Sequence, residues 1–301
     1  MRRATLARTA EGGCPYVNFA SAGPSPANKA SYARPDSRGR LSPRRTSHVQ
    51  FRDARVDLFQ SSIFNHQSSI SYHSSVAARR GNFITIEGLD GCGKSTQLEK
   101  LAGVLRGDGL DVLTTREPGG TPLGDRIRGV LLDSATTNLS PGAEMALMFA
   151  SRAQHLEEVI LPALEKGRMV LCDRFTDSTE AYQGGGRKLG SDAVLTLHRV
   201  LCGNIQPDLT ILMDSDPAAS VARARRRNRA RLATDAGEAD ENRFERESRA
   251  FFERVHNAYL AIARREAHRF FVVDARRPAE VVHPEIVAAV RKRFKLAART
   301  A

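Results

Sequence analysis

A run near residue 90 has the glycine spacing of a phosphate-binding loop. It reads G-x-x-x-x-G-K-S and consists of Gly88, Leu89, Asp90, Gly91, Cys92, Gly93, Lys94 and Ser95, with Thr96 next. The glycines allow a tight turn that brings backbone N–H groups against phosphate oxygens, and a helix beginning there directs its positive dipole end at them. Lys94 can reach the β- and γ-phosphates of a nucleoside triphosphate, and Ser95 is placed to bind Mg²⁺.

The segments on either side of this loop have the pattern that such a loop needs. An apolar, strand-like run covers residues 83–87, and a helical pattern begins near Lys94. A loop of this kind between a strand and a helix is typical of a P-loop. A P-loop binds a nucleotide but does not specify the reaction, so other residues must provide the acceptor.

Short apolar runs alternate with helical patterns along the rest of the chain. The candidate strands are residues 83–87, 111–115, 169–172, 209–213 and 270–274. This alternation predicts right-handed βαβ units, and hence an α/β fold with a five-stranded parallel sheet and helices on both faces. Ligands of such sheets bind at the carboxyl ends of the strands.

Charged side chains follow several of these strands directly. Arg116 follows the second strand, and its guanidinium suits bidentate binding of a phosphate, although a surface ion pair is the alternative. Asp173 and Arg174 follow the third strand. They could provide a carboxylate near Mg²⁺ and a second arginine for an anionic acceptor, or they could form a buried structural pair.

Two further segments have residue types that could contact a nucleotide. Phe149 and Arg152 are three residues apart in a helical pattern, where they could stack on a base and bond its edge, or could be a core side chain and a solvated one. An arginine-rich run covers residues 221–231. Such a run is usually a solvated helix face or a nucleic-acid contact, but a mobile lid that covers transferring phosphates fits this chain better.

The excess of basic residues is concentrated at the amino-terminal end. The formal net charge is +12, and most of it falls in residues 1–80, which are rich in Ser and Arg. We expect this segment to be a disordered extension, followed by a kinase domain of residues 81–301. It could be a transit peptide, a nucleic-acid-binding arm, or upstream sequence translated from a start codon placed too early.

The remaining composition predicts a protein of a reducing compartment that binds no structural metal. The four cysteines are far apart and form no zinc-like cluster, and no apolar stretch is long enough to span a bilayer. We therefore expect a cytoplasmic protein without a membrane segment and, because the charge outside the extension is nearly balanced, without a nucleic-acid partner.

Taken together, the motifs between residue 82 and about residue 294 resemble those of the thymidylate kinases of bacterial type. The matching segments are E-G-L-D-G-C-G-K-S-T at 87–96, T-R-E-P-G-G-T at 115–121, F-A-S-R-A-Q-H at 149–155, D-R-F-T-D-S-T-E-A-Y-Q-G-G-G-R at 173–187, and N-R-F-E at 242–245 after an arginine-rich lid at about 222–241. The resemblance implies the nucleoside monophosphate kinase fold. It also implies transfer of the γ-phosphoryl group of ATP to dTMP, giving dTDP, with Mg²⁺ and as a homodimer.

A deoxynucleoside kinase, or another nucleoside monophosphate kinase, is the alternative reading of the same motifs. A kinase that acts on a nucleoside needs a base to deprotonate a 5′-hydroxyl, whereas a phosphate acceptor is already a nucleophile. The two strand-end arginines, Arg116 and Arg174, suit the phosphate better.

The resemblance also assigns roles to individual residues of this chain. Those roles are approach to the sugar 3′-hydroxyl for Asp90, binding of the acceptor phosphate for Arg116 and Arg174, reading of the thymine edge for Arg152 and Thr179, exclusion of a 2′-hydroxyl for Tyr182, further substrate contact for Gln183, phosphate contact for the lid residues Arg223, Arg225 and Arg227, and Mg²⁺ binding for Ser95 with Asp173. Either Met148 or Phe149 would cover the base. The family's D-R-x-E is here N-R-F-E, with Asn242 in the place of the aspartate.

Overall fold

The computed structural model describes residues 80–234 and 243–297, with only the backbone for 231–234. Apart from Arg80, the predicted extension of residues 1–80 lies outside the described residues. The same holds for residues 235–241 of the predicted lid.

A parallel sheet of five strands forms the centre of the described chain, in the order β2-β3-β1-β4-β5. The strands are β1 (Phe83–Glu87), β2 (Val112–Arg116), β3 (Met169–Asp173), β4 (Leu209–Asp214) and β5 (Phe270–Asp274). The predicted fold class, with its five parallel strands, is confirmed.

Three strands end one residue later than the sequence predicted. Arg116 pairs with Asp173 in register, and Asp214 pairs with Asp274. These polar residues therefore belong to the last positions of their strands and not to the following loops. Backbone hydrogen bonds between the strands hold these residues, so the positions of their Cα and Cβ atoms are fixed by the sheet.

Helices cover both faces of the sheet. They are α1 (Lys94–Gly107), α2 (Pro122–Leu132), α3 (Pro141–His155), α4 (Leu161–Glu165), α5 (Thr176–Thr179), α6 (Ser191–Cys202), α7 (Pro217–Thr234), α8 (Arg249–Arg265) and α9 (Ala279–Phe294). Side-chain oxygens of Thr121, Ser140 and Ser248 cap α2, α3 and α8 by accepting a bond from a backbone N–H of the first turn. Two π-helical stretches, Leu156–Ile160 and Glu180–Gly186, follow α3 and α5. Within the described residues, no helix combines the length and apolarity needed to span a membrane.

The apolar core holds the P-loop from both sides. Every residue of β1 is buried, and the strand packs against α1 and α9 on one face through Ile84 and Ile86. On the other face Phe83 packs with Phe149 and Phe175. A third cluster joins Leu89 of the loop to α7 and α8. The P-loop is therefore held by the packing of β1 before it, of α1 after it, and of Leu89 against α7 and α8.

Gly91 is the point where the P-loop and α7 touch. Its φ is 80°, and a Cβ built on it would lie 2.2 Å from the carbonyl oxygen of Ser220. Only glycine allows this backbone conformation and this approach. The predicted lid helix therefore begins in direct contact with the phosphate-binding loop.

Candidate active site

Two adjoining cavities open at the carboxyl ends of the strands, with volumes of about 380 and 210 Å³. Most of the predicted site residues line one or both of them. The larger cavity is lined by Asp90, Ser95, Met148, Arg152, Arg174, Thr179, Tyr182, Gln183 and Arg227, and the smaller one by Asp90, Gly91, Gly93, Lys94, Ser95, Thr96, Arg116, Asp173, Arg174 and Arg227. Gly88, Leu89, Cys92, Phe149, Arg223 and Arg225 are not among the residues lining either cavity.

Lys94 lies over the P-loop at the first position of α1. It is 6% exposed, and its Nζ donates a hydrogen bond to the Leu89 carbonyl oxygen over 2.9 Å. The same nitrogen is 3.9 Å from Asp90 Oδ1. Burial raises the pKa of the Cys92 thiol, so that side chain stays neutral and contributes packing to the loop. The loop thus presents one buried cation among backbone N–H groups.

Asp90 and Arg174 form the ion pair between the two cavities. Arg174 Nη2 lies 2.5 Å from Asp90 Oδ1, and the Tyr182 hydroxyl donates to Asp90 Oδ2 over 3.2 Å. Burial opposes ionisation of Asp90, but the charges of Arg174 and Lys94 outweigh it and hold the pKa of Asp90 well below its usual range. Asp90 is therefore an ionised hydrogen-bond acceptor at neutral pH.

Arg174 is held from several sides at once. Its Nη1 donates to the Gly88 carbonyl oxygen and to Ser178 Oγ over 3.0 Å each, and to the Tyr259 hydroxyl over 3.2 Å. The guanidinium also lies 5.1 Å from the centre of the Tyr182 ring. A guanidinium with this many contacts has little freedom to leave the junction of the two cavities.

Arg152 lines the larger cavity and not the smaller one. Its Nε donates to Glu117 Oε2 over 2.7 Å, and its Nη2 donates to Thr179 Oγ1 over 2.9 Å. The rings of Phe149 and Phe175 lie 5.0 and 5.2 Å from the guanidinium carbon. Its Nη1 is buried and has no hydrogen-bond partner within residues 80–234 and 243–297. That N–H group is available to an acceptor on a ligand.

Glu117 is a site residue to which the sequence analysis gave no separate role. Besides Arg152, its carboxylate contacts His155, whose Nδ1 is 3.0 Å from Oε1. The other nitrogen of His155 is 2.6 Å from Thr115 Oγ1. Glu117 therefore links the loop after β2 to α3. The adjacency of Arg116 and Glu117 at a strand end was the available signal.

Other lining residues were also missed. Arg128 on α2 lines both cavities and donates to the Pro118 carbonyl oxygen over 3.2 Å. Asn228 and Glu245 line the larger cavity and are joined by a bond of 2.6 Å from Nδ2 to Oε1. Arg128 could have been suspected, since α2 begins directly after the polar loop. The pairing of Asn228 with Glu245 has no such local signal.

Met148 and Phe149 differ sharply in position. Met148 lines the larger cavity, whereas Phe149 is fully buried and packs with Phe83 and Phe175 beneath it. Of the two predicted base contacts, the geometry therefore favours Met148. Phe149 supports Arg152 from below.

The three predicted lid arginines point to different partners. Arg223 Nε donates to the Gly91 carbonyl oxygen over 2.8 Å, which ties α7 to the P-loop. Arg225 Nε donates to the Glu245 carbonyl oxygen over 2.8 Å. Arg227 lines both cavities, and its charge helps to lower the pKa of Asp90. Of these three arginines, Arg227 is therefore the one that lines the two cavities.

Ser95 and Asp173 place a hydroxyl and a carboxylate next to each other, two groups that could hold Mg²⁺. Ser95 Oγ donates to Asp173 Oδ2 over 2.8 Å, while the buried Oδ1 has no partner among the described residues. Those residues hold no group of three or more His, Cys, Asp or Glu that could bind a metal by themselves. Mg²⁺ commonly takes only one or two carboxylates and completes its shell with water and phosphate oxygens, so this pair fits.

Arg116 is more exposed than Arg174. Its side chain is 59% exposed and lies 3.5 Å from Asp125 Oδ1, which is a weak surface contact. Of the two cavities described above, Arg116 lines the smaller one and not the larger. Of the two strand-end arginines, only Arg174 reaches both cavities.

Comparison with known proteins identifies the family. The family model for thymidylate kinase matches residues 86–286. The chain belongs to the thymidylate kinase family. It is 51% identical over 200 residues to the thymidylate kinase of Trichlorobacter lovleyi, which covers 66% of this chain and 92% of that relative. It is 50% identical over 194 residues to that of Geobacter sulfurreducens, which covers 64% and 89%. Against the enzyme of Pseudomonas putida strain W619 the identity is 48% over 206 residues, covering 68% and 94%.

Membership of this family confirms the predicted enzyme class and reaction. The reaction of a thymidylate kinase is the phosphorylation of dTMP by ATP. The five-stranded parallel sheet is the fold expected of it.

Proposed function

We propose that the larger cavity binds dTMP and that the smaller one binds the phosphates of ATP and Mg²⁺. One observation carries this proposal, namely that Arg174 lines both cavities and is bonded to Asp90 of the P-loop. The γ-phosphoryl group would pass to the acceptor phosphate at this junction. The family match at 86–286 supports a kinase domain that covers residues 81–301.

Phosphoryl transfer needs positioning and charge stabilisation more than covalent help from the protein. In this proposal Arg174 binds the acceptor phosphate and sets it in line with the donor. Lys94 and Arg227 stabilise the charge that develops on the transferred group. Arg223, through its bond to Gly91, keeps the lid helix against the loop and so restricts water.

Ser95 and Asp173 are the residues that would hold Mg²⁺. The unpartnered Asp173 Oδ1 and its neighbouring hydroxyl support this assignment. When bound, the ion neutralises charge on the β- and γ-phosphates. Ser95 donates its proton to Asp173, so the lone pairs of its oxygen stay available to the ion.

Recognition of thymine rests on Arg152. Its free Nη1 donor suits a carbonyl oxygen such as O4 of thymine, whereas cytosine presents an amino group at that position. A buried donor facing another donor loses its hydrogen bond, which discriminates strongly between substrates. Thr179 and Gln183 line the same cavity as Arg152, Met148 would cover the base, and Tyr182 would crowd the 2′ position.

The experiment that tests this function is a coupled assay of ADP release with dTMP, dUMP, dCMP, AMP and thymidine. We expect dTMP to give the highest kcat/KM. Arg174→Ala should raise the KM for dTMP by more than about tenfold and the KM for ATP much less, since a charge-assisted contact to the acceptor is lost. Arg264→Ala, an exposed arginine of α8, is the matched control.

Two results would contradict the proposal. Thymidine turnover as fast as that of dTMP would favour a deoxynucleoside kinase. Equal losses of affinity for dTMP and ATP in Arg174→Ala would remove Arg174 from the acceptor side. A homodimer and a cytoplasmic location stay predictions from the sequence, and light scattering would test the first.

A further inference from the structure

Glu87, the last residue of β1, is a fully buried carboxylate with three hydrogen-bond donors around it. Oε1 accepts a bond from the backbone N–H of Phe175 over 2.7 Å. Oε2 accepts from the hydroxyl of Ser178 and, over 3.1 Å, from the hydroxyl of Tyr259. None of the roles assigned above uses this carboxylate, although it lies directly beneath Arg174.

Both hydroxyl groups that bond to Glu87 are also contacts of Arg174. Ser178 Oγ and the Tyr259 hydroxyl each accept a bond from Arg174 Nη1. A hydroxyl has one proton to donate and lone pairs to accept with. When both protons point at the Glu87 carboxylate, the lone pairs of both oxygens are free for the guanidinium. Ser178 Oγ and the Tyr259 hydroxyl also lie 2.8 Å apart, so either could donate to the other, and the Glu87 carboxylate competes with that contact for their protons.

The same carboxylate supports the backbone at Arg174. Arg174 has a φ of 71°, a left-handed conformation that a non-glycine residue adopts only when its surroundings hold it. Its N–H donates to the Ile86 carbonyl oxygen over 3.1 Å, and the next N–H, of Phe175, donates to Glu87. The end of β1 therefore holds the peptide groups on both sides of the strained residue.

We propose that Glu87 is a positioning residue for phosphoryl transfer, which acts through Ser178 and Tyr259 to aim the Arg174 guanidinium at the acceptor phosphate. This inference rests on the proposed assignment of Arg174 to that phosphate. If Glu87 had a purely structural role, its substitution would raise the KM for dTMP and the KM for ATP to the same extent. If Glu87 positions Arg174, its substitution raises the KM for the acceptor dTMP alone.

Glu87→Gln is the informative substitution because it keeps the shape and removes the charge. In the amide the carbonyl oxygen must stay with the backbone N–H of Phe175, which cannot turn away, so the NH₂ group faces the two hydroxyls and they can no longer donate to this side chain. Their protons must then turn toward each other or toward Arg174, and a proton that faces the guanidinium removes an acceptor of Arg174 Nη1. Tyr259→Phe removes one of the two hydroxyls and keeps the ring, which provides a second variant with a different structural change.

The experiment measures the KM for dTMP and for ATP at pH 8 in both variants, alone and combined with Arg174→Ala. We expect Glu87→Gln to raise the KM for dTMP about tenfold and Tyr259→Phe about threefold, the size of one weakened hydrogen bond to a charged group. The KM for ATP should change less than about twofold. With Arg174 already replaced, neither substitution should raise the KM for dTMP further.

Glu180→Gln is the matched control. Glu180 is also a buried carboxylate close to Ser178 in sequence, but its partner is Arg265 and not Arg174. It should leave the KM for dTMP unchanged. Equal effects on dTMP and ATP, a further loss in the Arg174→Ala background, or the same effect from Glu180→Gln would overturn the inference. If Arg174→Ala alone leaves the KM for dTMP unchanged, the assignment of Arg174 falls and the inference falls with it.

Discussion

The buried Glu87 should make the free energy of unfolding depend on pH in a way that Glu87→Gln abolishes. The pKa of Glu87 is raised from its ordinary value of 4.5 to about 7, chiefly by burial and next by the negative charge of Asp177. Arg174 and the bonds from Ser178 and Phe175 offset part of that increase. The titratable and charged groups that face it from the surrounding elements are Cys172, Arg174, Asp177, Tyr259 and Arg269.

The sign and size follow from proton binding in the two states. Well below pH 4.5 Glu87 is protonated in both the folded and the unfolded protein, so its ionisation does not change the free energy of unfolding. As pH rises from 4.5 toward 7, the unfolded chain loses its proton first, and folding becomes less favourable. One pKa unit corresponds to about 1.4 kcal/mol, so the full loss is about 3 kcal/mol, most of it, about 2.5 kcal/mol, between pH 5 and 8.

Urea denaturation of the wild type and Glu87→Gln at pH 5 and pH 8 measures this quantity. The stability of the wild type relative to the variant should fall by about 2.5 kcal/mol between the two pH values, because the amide does not titrate. Ionisable groups that do not interact with Glu87 cancel in the difference. Glu180→Gln, whose carboxylate is paired with Arg265, serves as the control. A pH dependence shared by wild type and Glu87→Gln would show that burial does not hold the proton on Glu87.

Three further substitutions test the phosphate and sugar contacts. Lys94→Ala should lower kcat at least about a hundredfold, since a buried cation beside the transferred group is lost, and a folded variant with more than a tenth of wild-type kcat would contradict the P-loop role. Gly91→Ala should abolish transfer, because its Cβ would lie 2.2 Å from the Ser220 carbonyl oxygen, while Gly103→Ala, with no atom within 4 Å, should keep kcat. Equal kcat in both alanine variants would mean that the loop and α7 need not touch. Tyr182→Ala should raise the use of the ribonucleotide relative to dTMP, and an unchanged ratio would remove Tyr182 from the sugar site.

The fold could be predicted because each strand is a short apolar run between helical patterns. The ends of three strands could not, because Arg116, Asp173 and Asp214 are polar and interrupt the apolar pattern. They nevertheless continue the ladder through backbone hydrogen bonds, which carry no signal in the side chains. A pattern of hydrophobic residues therefore ends a strand too early where the strand leads into a site.

The choice among neighbouring residues on a helix depends on rotation that motifs do not record. One residue turns a helix by about 100°, so Met148 faces the cavity while Phe149 faces the core. The same geometry separates the lid arginines. Arg223 and Arg227 are four apart and share a face, whereas Arg225 lies on the opposite side and bonds to the Glu245 carbonyl oxygen. A helical projection of the arginine-rich segment could have shown that Arg225 lies on a different face from Arg223 and Arg227.

The contacts that hold Arg174 lie beyond any local pattern. Glu87 and Tyr259 are 172 residues apart, yet their side chains meet beneath the guanidinium. Motifs show which residues contact the substrate, because the chemistry of phosphate binding restricts residue type and spacing. The residues that orient them need only reach the same place in the fold, and many types can do so. The precision of this site therefore depends on long-range packing between β1 and α8, which the Glu87 and Tyr259 variants perturb directly.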